Sequence, residues 1–148
     1  MKKRLILLGV LAFKTLSASA CSFPVVPVDQ QVDMADEVFI ATLLEAKVMP
    51  SNDIHKWPWI EGRFLVGRTL KGETQPKSVT FATGMGRGDC GVAMTVSAKY
   101  IIFNGRKDTG LGEDTGTRII EDFQEAELAD KIQLIARRQQ SKARWPYG

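Results

Sequence analysis

The chain has 148 residues, of which 44% are hydrophobic and 25% charged, a composition typical of one globular domain. Four of its 20 basic residues lie in the first twenty positions, so the rest of the chain carries 16 basic and 17 acidic side chains, a net charge of −1. A generally basic surface for nucleic acid is not indicated, and we expect no nucleic-acid partner.

Residues 1–20 have the pattern of a signal peptide. Basic residues 2–4 precede the apolar run LILLGVLAF, and Ala18-Ser19-Ala20 fits the small-residue cleavage site. The apolar run is too short to span a bilayer, so we expect no transmembrane segment. The sequence therefore predicts an exported protein, secreted or periplasmic, whose mature part is a single domain over residues 21–148.

The chain has two cysteines, Cys21 and Cys90. Export to an oxidising compartment makes them natural disulfide partners. The alternative is a lipid anchor at Cys21, because a sulfur held in a thioether cannot also form a disulfide. Signals for such lipidation typically have Leu three residues before the cysteine, where this chain has Ala18. Both interpretations remain open at this point.

The first half of the chain predicts a helical turn followed by three strands. Asp29 is positioned to cap a turn through QQVDMA, and EVFIATLLEAKV (37–48) has the β-branched and aromatic content of a strand. A loop with Pro, Ser, Asn and Asp follows at 49–59. Residues 60–72 and 77–83 then predict two neighbouring antiparallel strands.

The second half predicts two more strands and a helix. Residues 84–91 contain four glycines and predict an irregular loop before the strand at 98–105. A polar hairpin loop (107–116) and a fifth strand (117–122) come next. From Phe123 to Gln139 the apolar residues recur at helical spacing; the stripe comprises Leu128, Ala129, Ile132, Ile135 and Ala136. The basic tail, residues 137–148, is expected to be a frayed terminus.

These elements predict a mainly β fold. We expect a five-stranded barrel of the OB type, with a short N-terminal helix and a C-terminal amphipathic helix that closes one side.

The sequence offers little that predicts catalysis. Gly86-x-Gly88-x-x-Gly91 spells a dinucleotide motif but precedes strand-like residues, and Asp-Thr-Gly at 108–110 and 114–116 lies within one polar loop. The single histidine, His55, has no nucleophile partner that the sequence indicates. We therefore expect a protein that is not an enzyme and has no cofactor or metal of its own.

The loop at 49–59 contains Trp57 and Trp59, which have two interpretations. Both rings can pack over the end of the barrel. Alternatively, they form an anchor for a partner, because aromatic residues on loops often dominate binding energy.

Several short motifs together resemble one protein family. The motifs are Pro27, Gln30, Ala35, Asp36, Val38 and Phe39 near the start, Leu-Lys-Gly at 70–72, Cys-Gly-Val at 90–92 and Lys-Tyr-Ile-Ile at 99–102. With a mature chain that begins at cysteine, their order and spacing resemble the N-terminal, netrin-like domain of the tissue inhibitors of metalloproteinases. The resemblance extends across nearly the whole mature chain.

The resemblance implies a fold and a binding mechanism. Members of the family have a five-stranded OB-type barrel with helices at its side, and their N-terminal cysteine forms a disulfide with the cysteine of the Cys-Gly loop, here Cys21 with Cys90. The α-amino group and carbonyl of that first cysteine chelate the catalytic zinc of a protease. Carried over, the binding residues are Cys21, Ser22, Phe23, Pro24, Arg87, Gly88, Asp89 and Gly91, and Ser22 is the residue that enters the specificity pocket.

The chain also departs from the family. Vertebrate members have a further cysteine where this chain has Phe23, and they have more disulfides and a second domain. Two alternatives to protease inhibition therefore stay open. One is a module of the same fold that binds protein or glycan in the cell envelope, and the other is a lipoprotein anchored at Cys21.

Overall fold

The computed structural model describes residues 24–53, 55–86, 90–105 and 110–144, with the side chains of 142–144 excepted. The predicted signal peptide and the residues at 21–23, 87–89 and 106–109 lie outside this part of the chain. In chain order the elements are α1 (Val28–Met34), β1 (Glu37–Met49), β2 (Trp59–Lys71), β3 (Ser78–Thr83), β4 (Lys99–Asn104), β5 (Gly110–Leu111), a 3-10 turn (Glu113–Thr115), β6 (Arg118–Ile119) and α2 (Asp122–Arg144).

The fold is mainly β, as predicted, and the described strands form one sheet in the order β5-β3-β2-β1-β4-β6. The predicted antiparallel pairing of β2 with β3 is confirmed. The strand count differs from the expected five, because β5 lies inside the segment predicted as a polar hairpin loop. The predicted fifth strand is reduced to the two residues of β6. Both short strands are below the length at which alternation of apolar residues is detectable.

The sheet curls into a half-barrel. Residues 112–117 alone connect β5, on one edge of the sheet, to β6, on the opposite edge. Six residues span at most about 20 Å when fully extended, and the 3-10 turn shortens that reach. The register of β1 on β2 also shifts at three places, and such bulges bend a strand. The two edges are therefore drawn toward each other without forming a continuous barrel in the described residues.

Strand β1 is buried on both faces because the sheet has a hydrophobic cluster on each side. Val38 and Ile40 pack with residues of α1 and α2, whereas Phe39, Ala41 and Leu43 point into the curl. Successive residues of β4 likewise alternate between the two hydrophobic clusters. Inside the curl, the Phe64 ring meets the Tyr100 ring edge to face, with centroids 5.4 Å apart; such pairs contribute about 1 kcal/mol beyond burial.

Helix α1 begins at Val28, two residues earlier than it would with Asp29 as its cap. Pro27 occupies the cap position with φ −57° and ψ 147°, and no side chain caps the helix, so the predicted capping role of Asp29 is wrong. These angles are close to polyproline II, a conformation that suits the fixed φ of proline. The C-terminal end of the helix is held by Lys71, whose Nζ donates to the carbonyls of Val32 and Ala35.

Helix α2 confirms the predicted amphipathic stripe. Ala129, Ile132 and Ala136 are buried, and Leu128 and Ile135 pack partly against the same cluster. The helix runs to Arg144, beyond the predicted end at Gln139. Within the described residues, no helix is both long and apolar enough to cross a membrane.

Candidate functional site

The structure describes three of the residues predicted to form the binding site and its disulfide. Pro24, Cys90 and Gly91 lie within the described ranges. The other predicted residues, Cys21, Ser22, Phe23, Arg87, Gly88 and Asp89, lie outside them, and the expectations for those residues stay predictions.

The segment that precedes α1 and the residues that follow Cys90 border the same cavity. Residues 24–28, which have no regular structure before Val28, line a cavity of about 830 Å³. Val92 and Ala93 line the same cavity, as do residues from the segment 113–119. Two segments more than sixty residues apart in sequence thus form walls of one cavity.

The segment around Cys90 is held firmly by backbone contacts. The Cys90 carbonyl accepts a hydrogen bond from the amide of Glu113 at 3.1 Å, and Gly91 forms a β-bridge with Gly112. A Cβ at Gly91 would lie 2.3 Å from the Gly84 carbonyl oxygen, so this position accepts only glycine. Cys90 itself has a positive φ of 58°, which is uncommon for a residue other than glycine.

Thr83 joins this segment to the sheet. Its buried Oγ1 donates to the Leu111 carbonyl at 2.7 Å and accepts from the Val92 amide at 2.8 Å. One hydroxyl therefore positions both β5 and the residues that follow Cys90.

The polar part of the cavity centres on Arg118. Its Nη1 donates to the Gly116 carbonyl at 2.8 Å and to Gln31 Oε1 at 3.2 Å, and its guanidinium lies 5.9 Å from the centre of the Phe103 ring. Within the described residues no carboxylate forms a salt bridge with it. Burial lowers the pKa of Arg118 from its ordinary value, because desolvation disfavours the charged form.

Gln31 connects Arg118 to the N-terminal segment. Its Nε2 donates to the Val26 carbonyl at 2.8 Å, while its Oε1 accepts from Arg118. The side chain also covers Gly116, where an added Cβ would lie 2.5 Å from Gln31 Cδ. Gly116 has a φ of 86°, which favours glycine independently. The hydrogen bond to Val26 thus links the N-terminal segment to Gln31 and, through Gln31, to Arg118.

Sequence reasoning did not find Gln31 or Arg118. Gln31 and Arg118 are 87 positions apart and belong to no recognisable motif. The described residues contain no group of three or more His, Cys, Asp or Glu side chains placed to hold a metal ion.

The two tryptophans predicted to share the loop between β1 and β2 differ in exposure. Trp57 is 80% exposed, so the expectation that it packs over the end of the barrel is wrong. Trp59 is half-buried at the start of β2, and its ring lies 4.4 Å from the ring of His55. Trp57 consequently presents its apolar surface to solvent.

A scan against protein-family models and a search of curated proteins return no match for this chain. The resemblance to the metalloproteinase inhibitors therefore rests on the short motifs in the sequence.

Proposed function

We propose that the chain is an exported binding protein that inhibits a zinc metalloprotease through its new N-terminus. Signal cleavage after Ala20 exposes the amine and carbonyl of Cys21, which chelate the catalytic zinc, and Ser22 enters the specificity pocket. The segment from Phe23 to Val26 lies along the protease cleft, and the loop 87–91 flanks it.

The observation that carries this proposal is the common cavity wall. Pro24 is three residues from Cys21, and Val92 is two residues from Cys90, so both cysteines are a short distance along the chain from the same cavity. Three residues reach about 10 Å at most. This placement supports the proposed disulfide, and the backbone contacts of Cys90 and Gly91 would hold its loop end in place.

The chemistry suits a zinc ion with one open coordination position. An α-amino group has a pKa of about 8, so losing its proton at neutral pH costs only about 1 kcal/mol. A disulfide that fixes the chelating residue to a folded segment reduces the entropy lost on binding. Inhibition should therefore weaken as the pH falls below the pKa of the amine, because the protonated amine has no lone pair for zinc.

The first test is to move the amine. A form with one extra alanine before Cys21 places the terminal amine one residue from its chelating position, and we expect it to lose at least a hundredfold in inhibition of a zinc metalloprotease panel. The matched control carries the extra alanine after Gly148 and should inhibit as the unmodified mature protein does. If both extended forms inhibit equally, zinc chelation by Cys21 is wrong.

The exposure of Trp57 favours a second candidate function, a module that binds a protein or glycan through the loop between β1 and β2. Large exposed aromatic rings are often the residues on which binding energy concentrates. In this function the ring of Trp57 packs on the ligand, while Trp59 supports the loop through its contact with His55.

Replacing Trp57 by alanine tests this function. We expect W57A to lose at least tenfold in affinity for a glycan or envelope protein that binds the unmodified chain. Phe123→Ala is the matched control, since Phe123 is also an aromatic residue 80% exposed, but on α2. Equal affinities of W57A and the unmodified protein would remove Trp57 as an anchor.

A further inference from the structure

The second half of β1 has one unpaired edge within the described residues. Strand β2 pairs with β1 as far as Met49, whereas β4 on the other side pairs only with Glu37–Thr42. Leu43 completes that side by bonding to the backbone of Ser97 and Ala98. The stretch 44–49 therefore has a strand partner on one side only.

The register shows which backbone groups face outward along this edge. The Val66 amide donates to the Lys77 carbonyl, so Val66 and every second residue of β2 from it direct their backbone groups toward β3. Arg63, Glu61 and Trp59 lie at the alternate positions and direct their backbone groups toward β1. Their partners on β1 are Glu45, Lys47 and Met49, which consequently face β2. The residues between them, Ala46 and Val48, direct their N–H and C=O groups away from the sheet.

The sequence along this edge is complementary to itself. In Leu44-Glu45-Ala46-Lys47-Val48 an acid and a base lie at equal distances from Ala46. Antiparallel pairing of two copies about Ala46 places Glu45 of each copy opposite Lys47 of the other. The two charged side chains share one face of the strand, since Lys47 Nζ lies 2.9 Å from Glu45 Oε1.

We propose that the protein forms a two-fold dimer by pairing the β1 edges of two copies about Ala46. The Ala46 amides and carbonyls of the two copies bond to each other, and two Glu45–Lys47 pairs form across the interface. Opposite charges directly across two strands stabilise their pairing, and like charges destabilise it. Val48, which is 64% exposed, loses solvent contact in the dimer.

Lys47 has a simpler alternative role. Lysine on a free edge commonly prevents pairing, because an unpaired charge would be brought against the neighbouring strand. On this edge the charge of Lys47 is neutralised by Glu45 of the second copy, so it does not oppose self-pairing. The two roles differ for the unmodified protein: the blocking role predicts a monomer at every concentration, whereas self-pairing predicts a dimer that reversing the charge of Lys47 weakens.

Sedimentation of the purified protein over a range of concentrations tests the dimer. We expect a monomer–dimer equilibrium that Lys47→Glu weakens about tenfold, since both interstrand pairs become repulsive. The double variant E45K/K47E exchanges the two charges and keeps them complementary across the interface. It also removes the ion pair between Glu45 and Arg63 within each copy, so association should be restored once thermal melting shows that this variant is folded. Lys131→Glu, which makes the same charge change at an exposed position on α2, should leave association unchanged.

Hydrogen exchange gives a second, residue-level measurement. The amides of Ala46 and Val48 should become protected as the concentration rises, and thermal melting shows whether each variant is folded. A protein that is monomeric throughout, or a dimer that K47E does not weaken, overturns the proposal. Because this edge includes none of the residues proposed to bind zinc, dimerisation and protease inhibition can fail independently.

Discussion

At the scale of single residues, a few buried polar contacts hold the segment that follows Cys90. Thr83 is the clearest example, because its hydroxyl is both donor to Leu111 and acceptor from Val92. A buried hydroxyl with two partners satisfies two backbone groups that would otherwise lack hydrogen bonds. Removing the hydroxyl loses both hydrogen bonds and leaves the Leu111 carbonyl and the Val92 amide buried without this partner.

Replacing Thr83 with valine tests this role. The change keeps the shape but removes the hydroxyl, so we expect a loss of about 1–3 kcal/mol in the free energy of unfolding. Thr80→Val on the exposed face of the same strand should change stability by no more than about 0.5 kcal/mol. Urea unfolding of both variants makes the comparison, and equal stabilities would show that the Thr83 hydroxyl does not hold this segment.

At the scale of elements, α2 is attached to the sheet by apolar burial more than by ion pairs. Lys99 at the start of β4 contacts the carboxylates of Asp122 and Glu125 in the first turn of α2, and its hydrogen bond lowers the pKa of Asp122. Asp122 is almost fully exposed, and ion pairs at the surface contribute at most about 1 kcal/mol. Ile132, which is fully buried, contributes more.

The relative importance of these contacts can be measured. Ile132→Ala should reduce the free energy of unfolding by about 2–5 kcal/mol, because it leaves a cavity between α2 and the sheet. Leu134→Ala is the control, since Leu134 is 51% exposed on the same helix and alanine is an equally good helix former. Calorimetry that found equal melting temperatures for the two variants would contradict the importance of this apolar contact.

At the scale of the whole molecule, the curl of the sheet brings distant parts of the chain together. The central strands β1 and β4 have apolar residues on both faces. One hydrophobic cluster therefore lies inside the curl, and the other lies between the sheet and the helices. The short connection 112–117 then places Arg118 beside Gln31 and the N-terminal segment. The cavity that supports the proposed inhibitory function is a product of this closure. The free edge of β1 lies on another part of the sheet, so the two proposals have separate structural origins.

The amount of structure predictable from the sequence varied with the length of each element. The strands β1 to β4 were found almost to the residue, because each has at least six residues of β-branched or aromatic character. Strands β5 and β6 have two residues each and carry no periodic signal. The cap of α1 was also predicted wrongly, because Asp29 is the better cap by residue type but the backbone places the start of the helix at Pro27.

By itself, the sequence determined the mainly β class, the long antiparallel strands and the stripe that α2 buries. These features depend on the conformational preferences of the residues and on the regular spacing of apolar residues, which are both properties of nearby positions in the chain. Only the tertiary structure decided the extent of the curl, the hydrogen bonds of Thr83 and Arg118, the exposure of Trp57 and the unpaired edge of β1. Those features depend on contacts between residues far apart in the chain, for which a single sequence carries no periodic signal.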